Sequence, residues 1–268
     1  MCGYIGTIGS DVINHQLINE MASSIEKRGP DDKGIFIDNN YKLAIAHQRL
    51  SILDLSYAGH QPMTSNNKRF VIAYNGEIYN HLEIRKYLDD KKISNQINWQ
   101  GHSDTETLLE SIAAIGLEKT LAKIEGMFSF ALCDKKLKKL YLVKDRLGEK
   151  PLYYGFNKGV FYFGSDLKSF KKSPIFEPEI DNNSLALLIK YNFIPAPSSI
   201  YKNIYKLEPG KYLTFSTEKN DYILKTYWNV FDNINQNNPV NNKSDSDDFE
   251  ELDELLNQKV SDQMNSDV

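Results

Sequence analysis

A cysteine follows the initiator methionine: the chain opens Met1-Cys2-Gly3-Tyr4-Ile5-Gly6. Removal of Met1 makes Cys2 the first residue and places a thiol and a free α-amine on one residue. An α-amine titrates near 7.7–8.0, so a useful fraction is free base at neutral pH. It can take the thiol proton directly or through one water, and no histidine is required. Taken alone, such a cysteine reads first as a small residue after the initiator, and only the neighbouring segments reverse that. The other candidates read as structural. Cys133 ends the apolar run Phe128–Leu132 and reads as a packed thiol. The five histidines are scattered without metal-ligand spacing, so no metal site is expected. No glycine-rich loop precedes a helix in the way that cradles phosphate.

The elements that must carry Cys2 are mostly strands. Gly3–Ile8, Tyr41–Ala46, Phe70–Tyr74, Phe128–Leu132, Leu140–Lys144 and Val160–Gly164 are short runs rich in Val, Ile, Phe, Tyr and Leu. Several are nearly continuously apolar, as strands covered on both faces are. Helical spacing predicts helices over Gln16–Ile25, Leu82–Asp89 and Asp104–Ile115. Ser103 suits the N-cap of the third, and the acids Asp104 and Glu106 in its first turn complement the helix dipole. Many strands with a few helices predict an α+β sandwich, sheets inside and helices outside. The 268 residues are 41% hydrophobic, 12% aromatic and 25% charged, which excludes a wholly disordered chain. A chain of this length buries enough surface to need no disulfide staples, and two distant cysteines make no such framework. No apolar run approaches the roughly 20 residues that a bilayer needs, so no membrane span is expected. The net charge of −4 gives no basic field for nucleic acid. The opening residues lack the pattern of a signal peptide, and a soluble, cytoplasmic protein is the expectation. Phe231–Asp248 is polar and reads as a mobile linker. Phe249–Met264 then regains helical spacing, with Leu252, Leu255, Leu256 and Val260 on one stripe.

A series of segments, in order, carries a family resemblance. After the N-terminal hexapeptide come Arg28-Gly-Pro-Asp-Asp-Lys-Gly34, His47-Gln-Arg-Leu-Ser-Ile-Leu-Asp-Leu-Ser56 and Gly59-His-Gln-Pro-Met63. Tyr74-Asn-Gly-Glu-Ile-Tyr-Asn-His81, Ser103-Asp-Thr-Glu106 and Glu125-Gly-Met-Phe-Ser-Phe-Ala-Leu-Cys-Asp134 follow. Lys144-Asp-Arg-Leu-Gly-Glu-Lys-Pro-Leu-Tyr-Tyr154, Asn192-Phe-Ile-Pro-Ala-Pro-Ser-Ser-Ile-Tyr201 and Lys206-Leu-Glu-Pro-Gly210 complete the set. Together they resemble the glutaminase domain of glutamine-hydrolysing asparagine synthetases, class II amidotransferases with an N-terminal nucleophile. The resemblance covers nearly all of residues 1–215. It implies a four-layer α/β/β/α sandwich of antiparallel sheets, the N-terminal nucleophile hydrolase type. Lys144 stands where the family usually has arginine, and Asp166 where it usually has glutamate; both lie away from the glutamine pocket in sequence.

The resemblance also implies roles. Cys2 is the nucleophile that forms a γ-glutamyl thioester with L-glutamine. Arg49 binds the substrate α-carboxylate, a task that suits a guanidinium fork, and Asp104 receives the α-ammonium. Asn75 and Gly76 form the oxyanion hole. Asn-Gly is also a common hairpin turn, and both readings hold if a strand ends at Tyr74 and presents that turn to the substrate. Glu77 and the backbone of Ile52 and Leu53 complete the pocket, and Arg28-Gly-Pro-Asp-Asp32 shapes its mouth. The expected organisation is a glutaminase domain over 1–215, a polar linker with a short strand segment over 216–248, and the first helix of a synthetase domain over 249–268. In these synthetases an ATP-binding loop rich in Ser and Gly follows, so the chain reads as an N-terminal fragment. No cofactor is expected in it; ATP and Mg belong to the missing domain. Expected partners are L-glutamine, the C-terminal synthetase domain and, as one assembly, a homodimer. Two rivals stand beside this reading: a glutaminase half that serves a sugar-acid amidotransferase of surface polysaccharide synthesis, and a non-catalytic regulatory or interaction module. Retention of Cys2, Arg49, Asn75, Gly76 and Asp104 argues against the second.

Overall fold

The computed structural model describes residues 2–9, 14–93, 97–234, 245–264 and 266–268. Its strands are β1 (Gly3–Ile8), β2 (Asp32–Asp38), β3 (Leu43–Arg49), β4 (Met63–Thr64), β5 (Phe70–Ile78), β6 (Gly126–Asp134), β7 (Lys139–Lys144), β8 (Tyr153–Asn157), β9 (Val160–Gly164), β10 (Ile204–Lys206), β11 (Lys211–Ser216) and β12 (Asp221–Thr226). They form two six-stranded sheets, ordered β10-β8-β9-β1-β3-β2 and β12-β11-β7-β6-β5-β4. The pairing is antiparallel throughout. The helices are α1 (His15–Ser23), α2 (His81–Asp90), α3 (Asp104–Ile115), α4 (Leu117–Leu121), α5 (Leu167–Phe170), α6 (Asn182–Tyr191), α7 (Val230–Ile234) and α8 (Asp245–Asp262).

Period-two alternation sorts the side chains into three apolar layers. Tyr4, Leu43, Ile45, Val71, Ala73, Ala131, Phe161 and Phe163 point between the sheets. Their neighbours Ile5, Ala44, Ala46 and Tyr162 face outward and pack with Ile18, Met21 and Ala22 of α1 and Phe170 of α5. Phe70, Ile72, Tyr74 and Phe130 face outward from the second sheet and pack with Ile84 of α2 and Leu108, Leu109 and Ile112 of α3. The result is the α/β/β/α sandwich, and strands covered on both faces explain the continuously apolar runs. No helix among the described residues is long and apolar enough to cross a membrane.

β1 and β9 have the expected bounds, but β3 and β5 run further than the apolar pattern indicates. β3 continues through His47 to Arg49, and β5 through Asn75, Gly76 and Glu77. The hairpin turn expected at Asn75-Gly76 is therefore corrected. Both residues lie inside a strand, opposite Ser129 and Phe128 of β6. Gly76 is needed there for close approach: a Cβ would lie 2.3 Å from the Met127 carbonyl oxygen and 2.6 Å from Phe128 Cα. Within 216–248, residues 221–226 form β12, paired along its length with β11. Residues 235–244 of the expected linker lie outside the described residues. In α8 the stripe Leu252, Leu255, Leu256 and Val260 is exposed. The helix meets the sandwich through the Lys259–Glu125 ion pair at 3.0 Å.

Candidate active site

One cavity at the end of the inter-sheet layer is lined by Cys2, Arg49, Ile52, Leu53, Asn75, Gly76, Glu77 and Asp104, every residue expected there from the sequence. Strand alternation puts them together. Tyr4, Ile45 and Ala73 face the inter-sheet core. Two-residue steps then send Cys2, His47, Arg49, Asn75 and Glu77 to the same side, just beyond the last apolar residues. The strand ends that would have continued the core are polar and open a pocket instead.

Cys2 precedes β1 beside Arg49, and its Sγ accepts a hydrogen bond from the Leu50 N–H at 3.3 Å. Burial raises the thiol above its ordinary range, against the lowering effect of the Leu50 hydrogen bond. Its carbonyl accepts from Arg28 Nε at 3.1 Å. Arg28 thus braces the nucleophile's backbone, a function that the sequence reading of the 28–32 segment missed. In the same segment Asp31 accepts from the Ser51 N–H at 2.8 Å, which ties the pocket mouth together.

The Arg49 guanidinium is buried and is held by backbone carbonyls: Ser56 at 3.1 Å, Leu53 at 3.3 Å and Asp54 at 2.5 Å. Gly59 makes room for it, since a Cβ there would lie 1.9 Å from Nη2. Among the described residues no carboxylate pairs with Arg49, yet a buried cation calls for a counter-anion. Asp104 supplies the opposite charge in the same cavity. Ser103 caps α3 through the Glu106 N–H, which sets Asp104 at the first helical position. Its carboxylate accepts from the Tyr74 hydroxyl at 2.7 Å, the Ile78 N–H at 2.9 Å and the Thr105 N–H at 2.8 Å. Burial nevertheless raises its pKa. Burial raises that of Glu77 as well, with the Asp104 charge adding to it and Lys150 opposing.

Among the described residues, the β5 edge beyond the two-residue β4 has no strand partner on that side. Side chains complete it instead: the Tyr74 N–H donates to Gln61 Oε1 at 2.7 Å, and His47 Nε2 donates to the Tyr74 carbonyl at 2.8 Å. The Ile78 N–H meets Asp104 on the same edge. Gly76 lies between Tyr74 and Ile78 at two-residue steps, so its N–H and C=O face this edge too. Beside them the Asn75 side-chain amide nitrogen is buried with no hydrogen-bond partner. A backbone N–H facing the open edge and an orphaned amide NH₂ therefore belong to adjacent residues that both line the cavity.

Gln61, Tyr74, Thr105, Met127 and Lys150 also line the cavity and were not singled out from the sequence. Lys150 is placed by Asp145, whose carboxylate accepts from the N–H groups of Leu147, Gly148, Glu149 and Lys150. Of the two departures from the family pattern, Lys144 is buried with its pKa lowered by burial, and Asp166 caps α5 through the Lys168 N–H. Neither lines the pocket. Among the described residues no His, Cys, Asp and Glu cluster could hold a metal.

A protein of Methanocaldococcus jannaschii named after the glutamine-hydrolyzing asparagine synthetases is 36% identical over 288 residues, covering 100% of this chain and 53% of the relative. Asparagine synthetase (glutamine-hydrolyzing) 1 of Bacillus subtilis is 34% identical and covers 85% of this chain and 35% of the relative. The chain thus spans about one third to one half of these relatives. In structure it resembles the glutamine phosphoribosylpyrophosphate amidotransferase of B. subtilis, with a TM-score of 0.61, 19% identity and coverage of 85% of this chain and 49% of that one. At that identity the likeness speaks for the sandwich alone. Residues 1–228 match the family model of the glutamine amidotransferase domain, a span that takes in β12 as the last strand. With that match added to the sandwich and to a pocket built around Cys2, the chain belongs to the glutamine amidotransferase domain family.

Proposed function

We propose that the chain hydrolyses L-glutamine to glutamate and ammonia and is the glutaminase half of an asparagine synthetase. In this reading the substrate α-carboxylate lies on Arg49 and its α-ammonium on Asp104, with Glu77 and the backbone of Ile52 and Leu53 closing the pocket. That leaves the side-chain amide at Cys2. After removal of Met1, the Cys2 amine takes the thiol proton as Sγ attacks the amide carbon. The carbonyl oxygen becomes an oxyanion held by the Asn75 side-chain amide and the Gly76 N–H. The same amine returns the proton to the departing nitrogen, ammonia leaves, and a γ-glutamyl thioester remains. Water, deprotonated by the amine, attacks the thioester through a second oxyanion, releasing glutamate and restoring the thiol.

The observation that carries the reading is a buried Arg49 that pairs with no carboxylate among the described residues, lining one cavity with Asp104, Cys2 and the orphaned Asn75 amide. Those are the complementary groups of an α-amino acid with a reactive amide at its far end. Aspartate as the ammonia acceptor is supported by the names of the relatives, which favour it over a sugar acid. ATP and Mg would serve the acceptor half alone, and the reaction belongs in the reducing cytoplasm, where a free thiol persists. Glutamate release from glutamine by the mature chain, abolished in Cys2→Ala, is the expected result. Turnover that survives Cys2→Ala would overturn it.

A further inference from the structure

We propose that Asp267 is a positioning residue for the glutamine pocket: it latches the 52–54 loop whose carbonyls hold Arg49. The inference rests on the glutaminase reading above. The loop is under local constraint. Asp54 has a φ of 57°, a left-handed conformation that is uncommon for a residue with a side chain. Its carboxylate holds the loop from within, accepting from the Ser56 N–H and hydroxyl and from the His102 N–H at 2.8 Å. Its carbonyl, with that of Leu53, faces Arg49.

The outer side of the same loop is bound by a residue far away in sequence. Asp267 Oδ2 accepts from the Asp54 N–H at 2.7 Å, and the Asp267 N–H donates to the Ile52 carbonyl at 2.9 Å. His102 Nε2 meets the same Oδ2 at 2.7 Å. Asp267 thus ties the 52–54 loop to the segment before α3, the helix that carries Asp104. The two groups assigned to the substrate's charged ends are braced through one side chain. Without it, the Asp54 N–H turns to water, only the backbone bond from the Asp267 N–H to the Ile52 carbonyl is left on that side, and the Asp54 backbone is free to leave its left-handed conformation. The carbonyl cradle of Arg49 then loosens. Because two of the contacts are to backbone, the latch works whatever side chains the loop carries. Whatever moves residues 266–268 changes glutamine affinity, and bound glutamine by the same coupling tightens the docking of that segment.

The role is that of positioning, so the Michaelis constant carries the effect. In the mature full chain, Asp267→Ala is expected to raise the KM for glutamine about three- to tenfold and to change kcat less than about twofold. Asp267→Asn, which keeps an acceptor for the Asp54 N–H, is expected to stay within about twofold of wild type in both. Hydrogen exchange at the Asp54 amide gives a readout independent of turnover: faster in Asp267→Ala, protected in wild type and Asp267→Asn. Wild-type KM together with wild-type exchange in Asp267→Ala would overturn the latch, as would a fall in kcat at unchanged KM. If the wild-type chain releases no glutamate, the glutaminase reading fails. The exchange at Asp54 then decides by itself whether the latch exists.

Discussion

Burial holds the Cys2 thiol above its ordinary range, so at neutral pH the folded chain presents Sγ–H and not thiolate. Catalysis at this residue therefore needs a proton acceptor at hand, and the residue's own α-amine is the nearest one that chemistry allows. While Met1 remains, that amine is tied up in a peptide bond. Chains that retain Met1 are expected to be inactive, and glutaminase activity should track the fraction that begins at Cys2, read by intact mass beside a glutamate assay. Equal activity in unprocessed chains would remove the amine from the mechanism. Binding and chemistry also separate by residue. Asn75 meets charge that grows only in the transition state, so Asn75→Ala is expected to lower kcat about 10²–10³-fold with little change in KM. Arg49 faces a carboxylate far from the reacting amide, so Arg49→Ala is expected mainly to raise KM. Steady-state kinetics on folded variants check both, and an unchanged kcat in Asn75→Ala would take Asn75 out of the oxyanion role.

At the scale of elements, the site consists of strand ends whose apolar partners stop. β3 and β5 look shorter in the sequence than they are because His47, Gln48, Arg49, Asn75 and Glu77 break the apolar run. Apart from Gln48, which donates to the Ala22 carbonyl of α1, those are the residues that line or brace the pocket, so the apolar pattern fails there because function overrides core packing. Strands outside the apolar runs have other causes. β4 and β10 are only two and three residues long, and β12, an edge strand with mostly exposed side chains, shows only as the short strand segment expected within 216–248. α6 exposes Leu185, Leu188 and Ile189, which blurs its amphipathic stripe. The pocket residues were legible only through the ordered family motifs; Gln61, Lys150 and Arg28 act through contacts that no local spacing encodes. Gly76 is where element and site meet. A Cβ there would strike the backbone of β6, which cannot swing aside. Gly76→Ala is expected to cost about 1–3 kcal/mol of stability and to pull its N–H off the oxyanion position. Urea unfolding measures the first and kcat the second. A variant as stable and as active as wild type would refute the close approach.

The two sheets of the whole molecule are joined at the site by a buried histidine. His47 belongs to β3 of one sheet, and its Nε2 donates to the Tyr74 carbonyl on β5 of the other. Its Nδ1 is buried without a partner, so the ring suits the neutral form and has nothing to receive a second proton's charge. Burial accordingly lowers its pKa to about 4, with the nearby Arg49 cation adding to the effect and the Tyr74 hydrogen bond opposing it. In the unfolded chain the same ring titrates near 6.5. Between those two values the unfolded state binds a proton that the folded state refuses. The contribution of His47 to stability is therefore full above about 6.5 and is lost as pH falls toward 4, by roughly 2–3 kcal/mol at pH 4.5. His81, lowered by burial, acts in the same direction, whereas Asp104, raised by burial, acts in the opposite one. Both are present in wild type and in His47→Gln, a variant that keeps an N–H donor for Tyr74 but does not titrate. The comparison of the two proteins isolates His47. Urea unfolding at pH 7 and pH 4.5 is expected to show wild type losing roughly 2–3 kcal/mol more than His47→Gln over that interval. Parallel losses in the two proteins would mean that His47 takes up its proton in the folded state as readily as in the unfolded one, and that the link between the sheets is not what makes the fold sensitive to acid.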